Sequence, residues 1–272
     1  MLTFVGLGLY DERSVTVEGR EAIRRADRVF AEFYTSRLIG TTHEDLEAFH
    51  ETEIEVRDRA GVEEDPEPIL DAAADGEAVF CTAGDTMIST THVDLRLRAH
   101  ERGVETRVIH GTTAAAAAAS LTGLQNYRFG KATTLPFPYG SMQVPRSVTD
   151  TIEANCERGL HTLVFLDIKA ERDADRFMTA DVAAGLLAEA YADEDEGGDG
   201  DDDRLAVAVC RAGSPEPLVA ADRLSALADR EFGDPLHLLV VPGELHHVER
   251  EALAALAGAP KALLPAEDEA DR

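Results

Sequence analysis

The sequence predicts an α/β protein built as two α/β domains with a ligand cleft between them, and three observations carry that prediction. Short apolar runs alternate with helical patterns from Leu2 to Ile109, the rhythm of a mainly parallel sheet covered on both faces. A second such series follows the polar, aromatic and proline-containing stretch Gly123–Pro138. Several strand-like runs also end in turns of small residues bearing a single polar group, the arrangement by which open sheets hold small molecules. At 272 residues the chain exceeds the usual size for one core. The boundary is placed near Thr112, which gives domains at 1–112 and 113–260 and an acidic tail at 261–272.

Leu2–Val5 reads as the first strand, followed at once by Gly6-Leu7-Gly8-Leu9-Tyr10-Asp11. A glycine turn there lets a ligand approach the backbone, although a tight turn without a ligand is the commoner explanation. The dinucleotide fingerprint would require glycine where Asp11 stands. Thr16–Ala26 is a helix with Ala22, Ile23 and Ala26 on one face, and Arg28–Tyr34 a strand. Residues 42–50 form a helix entered through a capping-box pattern, Thr42 with Asp45. Ile54–Val56 is a short strand, and Glu67–Ala74 a helix behind Pro66 with Ile69, Leu70 and Ala73 inward.

The stretch from Ala78 to Ala119 organises the rest. Two apolar runs, Ala78–Thr82 and Thr106–Ile109, flank a helical segment, as in a strand–helix–strand unit. The first closes on Ala83-Gly84-Asp85-Thr86 and the second on Gly111-Thr112-Thr113. Asp85 is thus a lone carboxylate at a strand end; the plainer alternative is that it caps the helix that follows. Ala114–Ala119, six alanines, opens a helix that Gly123 stops. Such small side chains let the helix pack close to a sheet, and they leave the N–H groups of Thr113 and Ala114 accessible to the polar end of a ligand.

In the second half Val144–Arg158 is helical, Thr162–Ile168 a strand and Thr179–Tyr191 a helix. Residues 193–203, DEDEGGDGDDD, carry eight acids and three glycines and form a solvated insertion without EF-hand spacing. Leu205–Cys210 is a strand closing on Arg211-Ala212-Gly213-Ser214-Pro215. Leu224–Phe232 is a helix, Leu236–Val241 a strand and Glu244–Leu256 the final helix.

Composition restricts the setting. Acidic residues number 53 against 26 basic, for a formal charge of -27, and lysine occurs only at positions 131, 169 and 261. Such a surface repels nucleic acid and anionic membrane and fits life at high salt, where self-repulsion is screened. Cys81, Cys156 and Cys210 lie far apart and read as free thiols of a reducing cytoplasm. No apolar run reaches the ~18 residues of a membrane span, and the N-terminus enters a strand with no basic leader.

Chemistry is less legible. His246 and Glu249 stand at i, i+3 but have no third ligand, so no metal site is expected. His237, inside an apolar strand, reads either as a hydrogen-bonded core residue or as part of a ligand loop. Ser89, His92 and Asp94 crowd one helix start without a nucleophile elbow. Residues alone therefore support a small-molecule-binding α/β protein and leave its reaction open.

The segments FVGLGLYDE, AEFYTS, GDTMISTTHVDLRLRA, TGLQNYRFGKATTLPFP, FLDIKAERDADRFMTA, RAGSPEP and LHLLVVPGELHHVE, spread from Met1 to about Pro260, resemble the diphthine synthases. These lie within the tetrapyrrole methylase-like class of S-adenosylmethionine-dependent methyltransferases. The resemblance implies S-adenosyl-L-methionine as methyl donor, no metal, and a homodimer in the cytoplasm. It implies a protein substrate, translation elongation factor 2, on whose 3-amino-3-carboxypropyl-histidine the amino group is methylated toward diphthamide. Donor contacts fall, by similarity, on Leu9, Asp85, Ile88, Thr113, Ala114, Leu166, Ala212 and His237. Thr86 stands where the family usually has proline, and Thr113-Ala114 where it has Ser-Ile. No catalytic residue is assigned. The alternatives are a methyltransferase acting on a tetrapyrrole of the precorrin type and a non-enzymatic regulator that binds an adenosyl ligand.

Overall fold

The structure, a computed structural model, describes residues 1–140, 143–169, 176–194 and 204–264. It divides into two compact units, Met1–Ala114 and Ala115–Arg272. The acidic run 193–203 lies outside the described residues apart from its first two positions, and so does the tail beyond Leu264.

The first unit runs β1 (Leu2–Gly6), α1 (Val17–Arg25), β2 (Arg28–Glu32), α2 (His43–His50), β3 (Glu55–Val56), α3 (Arg59–Glu63), α4 (Glu67–Asp75), β4 (Ala78–Thr82), α5 (Val93–Glu101) and β5 (Thr106–Ile109). Its five strands lie in the order β3-β2-β4-β1-β5, every pair parallel. β1 and β4 are buried throughout, the burial expected of strands covered on both faces. One face packs Val5, Val29, Val79 and Cys81 against Ile23 of α1, and the other packs Phe4, Phe30 and Phe80 against Ile69, Leu70 and Leu95. The Thr42–Asp45 capping box starts α2 as its sequence predicts. The short helix α3 has no counterpart in the sequence reading, being too brief to show a period.

The second unit, entered along α6 (Ala114–Thr122), contains β6 (Thr133–Leu135), α7 (Arg146–Cys156), β7 (Thr162–Leu166), β8 (Ile168–Lys169), β9 (Arg176–Phe177), α8 (Ala180–Glu194), β10 (Leu205–Cys210), β11 (Leu218–Arg223), α9 (Leu224–Ala228), β12 (His237–Val241) and α10 (His247–Leu256). The larger sheet has the order β11-β10-β12-β7-β6, antiparallel except at β6-β7; β8 and β9 form a separate two-stranded ribbon. Its core joins Val164, Ala208 and Leu239 to Ile152 of α7 and to Ala183, Ala184 and Leu187 of α8. Alanines on α8 let that helix lie close to the strands. Among the described residues, no helix is long and apolar enough to cross a membrane.

Candidate functional site

Three strand ends of the first unit meet through glycine. A Cβ built on Gly6, the last residue of β1, would stand 2.5 Å from the Gly84 carbonyl oxygen and 2.5 Å from the Gly111 nitrogen. One built on Gly111 would stand 2.2 Å from that same oxygen. No side chain fits at either place, so the chain after β4 and the chain after β5 close directly across the end of β1. Gly8 and Gly84 also exchange main-chain hydrogen bonds, Gly8 N–H to the Gly84 carbonyl at 3.1 Å and Gly84 N–H to the Gly8 carbonyl at 2.7 Å. The turn carrying Leu9 is thereby tied to the turn carrying Asp85.

Asp85 is 4% exposed and uses both carboxylate oxygens. Oδ1 accepts from the Met87 N–H at 2.9 Å. Oδ2 accepts from His110 Nδ1 at 2.8 Å and from the Gly111 N–H at 3.2 Å. Asp85 therefore spans from the end of β4 to the end of β5, a reach possible because β1 between them ends in glycine. It does not cap the following helix: α5 starts at Val93 with His92 in the cap position. Ile88, half-exposed, follows on the turn whose N–H returns to the Asp85 carbonyl at 3.3 Å. The Leu9 N–H is taken by Ser14 Oγ at 2.9 Å. Thr113 and Ala114 stand at the start of α6, two and three residues beyond Gly111. Leu9, Asp85, Ile88, Thr113 and Ala114 thus gather at the carboxyl ends of neighbouring parallel strands, where such sheets bind ligands. Gly84, with φ of +74° and nothing within 4 Å of a built Cβ, has an open backbone face among them.

The same unit buries a polar cluster behind these turns. Glu32 is fully buried at the end of β2 and accepts from the N–H groups of Tyr34 (2.9 Å) and Thr35 (3.0 Å) and from the Thr35 hydroxyl. His92 lies 3.5 Å from it, with Nδ1 3.2 Å from the Thr86 carbonyl. Burial pushes the His92 pKa down to about 4, which keeps the ring neutral, and burial raises that of Glu32 against its hydrogen bonds.

In the second unit, register brings the other three positions to one end of the larger sheet. His237 opens β12 opposite Cys210, the last residue of β10; Ala212 lies two residues further on. Leu166 closes β7, whose Phe165 pairs with Leu238. His237 is 4% exposed and spends both ring nitrogens: the Ala180 N–H donates to Nδ1 at 3.1 Å, and Nε2 donates to the Asp234 carbonyl at 2.8 Å. Burial lowers its pKa, outweighing the Asp234 carbonyl. The ring is a neutral, hydrogen-bonded core residue, so what it offers a ligand is main chain or ring surface. Arg211 holds the adjoining turn at positive φ, with Nη1 2.6 Å from the Phe232 carbonyl.

One buried hub had no sequence signal beyond a dismissed metal pair. Glu249, fully buried on α10, accepts from the Gln125 N–H (2.8 Å), the His246 N–H (2.9 Å), His161 Nε2 (3.0 Å) and Arg128 Nη1 (3.4 Å). The Gly243 N–H donates to His161 Nδ1, which fixes the tautomer that donates to Glu249. Glu249 is thus an anchor for the segment after α6, and its partner His246 contributes main chain. Among the described residues, no group of three or more His, Cys, Asp or Glu side chains is arranged to hold a metal ion.

Residues 1–228 match the family model described as tetrapyrrole (corrin/porphyrin) methylases. A protein named diphthine synthase from Halorubrum lacusprofundi is 71% identical over 97% of this chain and 99% of its own length. One of the same name from Natronomonas pharaonis is 68% identical over 97% and 99%. A crystal structure titled diphthine synthase superposes with a TM-score of 0.86 at 38% identity, covering 96% of this chain and 98% of the other.

Proposed function

The chain belongs to the tetrapyrrole methylase family, and we infer that it is an S-adenosylmethionine-dependent methyltransferase of the diphthine synthase type. Its acceptor is the amino group of the 3-amino-3-carboxypropyl-histidine of translation elongation factor 2, and its product is diphthine on the way to diphthamide. The observation that carries this reading is near-full-length identity of 71% to a protein named for that activity. A tetrapyrrole acceptor shares the family but not this branch, and a regulator without turnover has no observation in its favour.

The residues present fit the donor. We propose donor contacts at Leu9, Asp85, Ile88, Thr113 and Ala114 and, by similarity, at Leu166, Ala212 and His237. The open backbone at Gly84 accepts an atom group that a side chain would exclude. The donor supplies an activated methyl on a sulfonium, so the work left to the chain is to orient it and to present a neutral amine in line. The glycine closure of three strand ends gives the first set of contacts a fixed frame. Relatives from halophilic archaea agree with the -27 charge as an adaptation to salt. We further propose a cytoplasmic homodimer that needs no metal.

The test is methyl transfer in high salt from labelled S-adenosylmethionine to three acceptors: elongation factor 2 bearing the aminocarboxypropyl group, the unmodified factor, and a precorrin-type tetrapyrrole. Label on the first alone supports the reading; label on the tetrapyrrole, or on none, overturns it.

A further inference from the structure

We propose that His110 is the base that takes the proton from the acceptor amine, with Asp85 as its positioning residue, an assignment that rests on the methyltransferase reading above. His110 directly follows β5, at the same strand ends as the expected donor contacts. Its Nδ1 lies 2.8 Å from Asp85 Oδ2, and the two side chains contrast sharply: His110 is 77% exposed and Asp85 3%. Asp85 is itself fixed by the N–H groups of Met87 and Gly111, so it is a rigid acceptor rather than a mobile partner. A carboxylate accepts only, so the hydrogen of the neutral ring sits on Nδ1 and Nε2 keeps its lone pair, on a side chain that is largely exposed. A buried carboxylate orienting an exposed imidazole is the geometry of general-base chemistry. Asp85 is the charged group that the structure sets against this ring.

The chemistry calls for such a group. A primary alkyl amine, with a pKa of about 8 to 10, is mostly an ammonium near neutral pH and has no lone pair to attack with. His110 Nε2 takes one N–H proton, leaving the neutral amine. The nitrogen lone pair then forms the N–C bond while the S–C bond breaks, and its electron pair stays on sulfur as the thioether. The methylated nitrogen carries the positive charge, and the exposed imidazolium returns its proton to water. Each methyl added releases one proton by this route.

The test uses the full-length protein with His110→Asn and His110→Ala. Asparagine keeps an N–H donor for Asp85 while removing the base. The expected result is unchanged donor affinity by calorimetry and single-turnover transfer slowed about 100-fold or more at pH 7. The gap to wild type should close toward pH 10, where the amine loses its proton unaided. In ligand-free wild type, the 15N spectrum of labelled histidine, assigned by difference from His110→Asn, should show this ring protonated at Nδ1. Wild-type rates in the variants, a defect independent of pH, a loss confined to donor affinity, or an Nε2-protonated ring each overturns the proposal. A wild type that transfers no methyl to the amine overturns instead the reading on which it rests.

Discussion

Gly111→Ala probes the frame on which the first set of contacts depends. The new Cβ would lie 2.2 Å from the Gly84 carbonyl oxygen and 2.8 Å from both the carbonyl carbon and oxygen of Gly6. Ordinary van der Waals contact begins at 3.4 Å, so the turns after β4 and β5 must part by about 1 Å, and every atom in the way is backbone. Overpacking of this kind costs about 1–3 kcal/mol, which for a chain of this size lowers the melting temperature by roughly 2–12 °C. The same displacement stretches the 3.2 Å bond from the Gly111 N–H to Asp85 and moves Thr113 and Ala114 with it. Donor affinity should therefore fall by about tenfold or more, the expected consequence of misplacing contacts by about 1 Å. Thermal melting by circular dichroism and donor titration by calorimetry, both in high salt, read the two effects. Gly103→Ala, in the loop before β5 and away from these turns, is the control, since it meets nothing within 4 Å and costs only the strain of its positive φ, about 1–2 kcal/mol. A Gly111→Ala protein that melts with wild type and binds donor equally would refute the claim that the strand ends are closed by glycine.

Two buried groups and the net charge give further outcomes. Glu249→Ala leaves the buried His161 and the Gln125 N–H without their acceptor and should cost about 3–5 kcal/mol in chemical denaturation; a loss under about 1 kcal/mol would contradict the hub. Burial alone would raise the Glu249 pKa, but the Gln125, His246 and His161 donors outweigh it and hold it low. Its stabilisation is then present above the ordinary glutamate range and disappears as pH falls through the lowered value. His50 is fully buried and both ring nitrogens lack a hydrogen bond; burial, with Arg20 and Arg24 nearby, pushes its pKa down to about 4. The unfolded chain takes up that proton first, so wild type should lose about 2 kcal/mol relative to His50→Leu between pH 7 and pH 4.5, and a pH-independent difference would be inconsistent with a neutral buried ring. Moving from 1 M to 0.1 M salt lengthens screening from about 3 to about 10 Å, which should lower the melting temperature of a chain of charge -27; an unchanged melt would remove the salt-adaptation argument.

The first unit, apart from the short helix α3, was legible because its long strands are apolar runs and the longer helices between them carry one apolar face. Strand direction in the second unit was not, since it depends on connections rather than on a strand's own residues. The seven-residue turn from Arg211 to Glu216 and Pro217 joins β10 to β11 as a hairpin, and that brevity alone excludes a parallel pair. β11, LVAADR running directly into the helix LSALA, has no strand in the sequence reading, where a helix begins at Leu224, and β6 is three residues within a polar segment. The strand-end turns carrying Leu9, Asp85 and Thr113 showed in the sequence as glycine and small polar residues. The Asp85–His110 pair did not, because it joins two strands that are neighbours only across the glycine end of β1. The satisfaction of both His237 nitrogens was hidden because one partner, Ala180 at the start of α8, lies 57 residues away in sequence, while the other, Asp234, is in the loop just before β12.

The reaction proposed for this chain is methyl transfer to one amine on one protein. Its most direct measurement is the mass of the modified histidine peptide of elongation factor 2 after incubation, in high salt, with this protein and S-adenosylmethionine. Factor bearing the aminocarboxypropyl group should gain mass in whole methyl units on that histidine, while unmodified factor gains none. Tight donor binding with no mass gain on the intermediate, or an equal gain on the unmodified factor, would contradict the account.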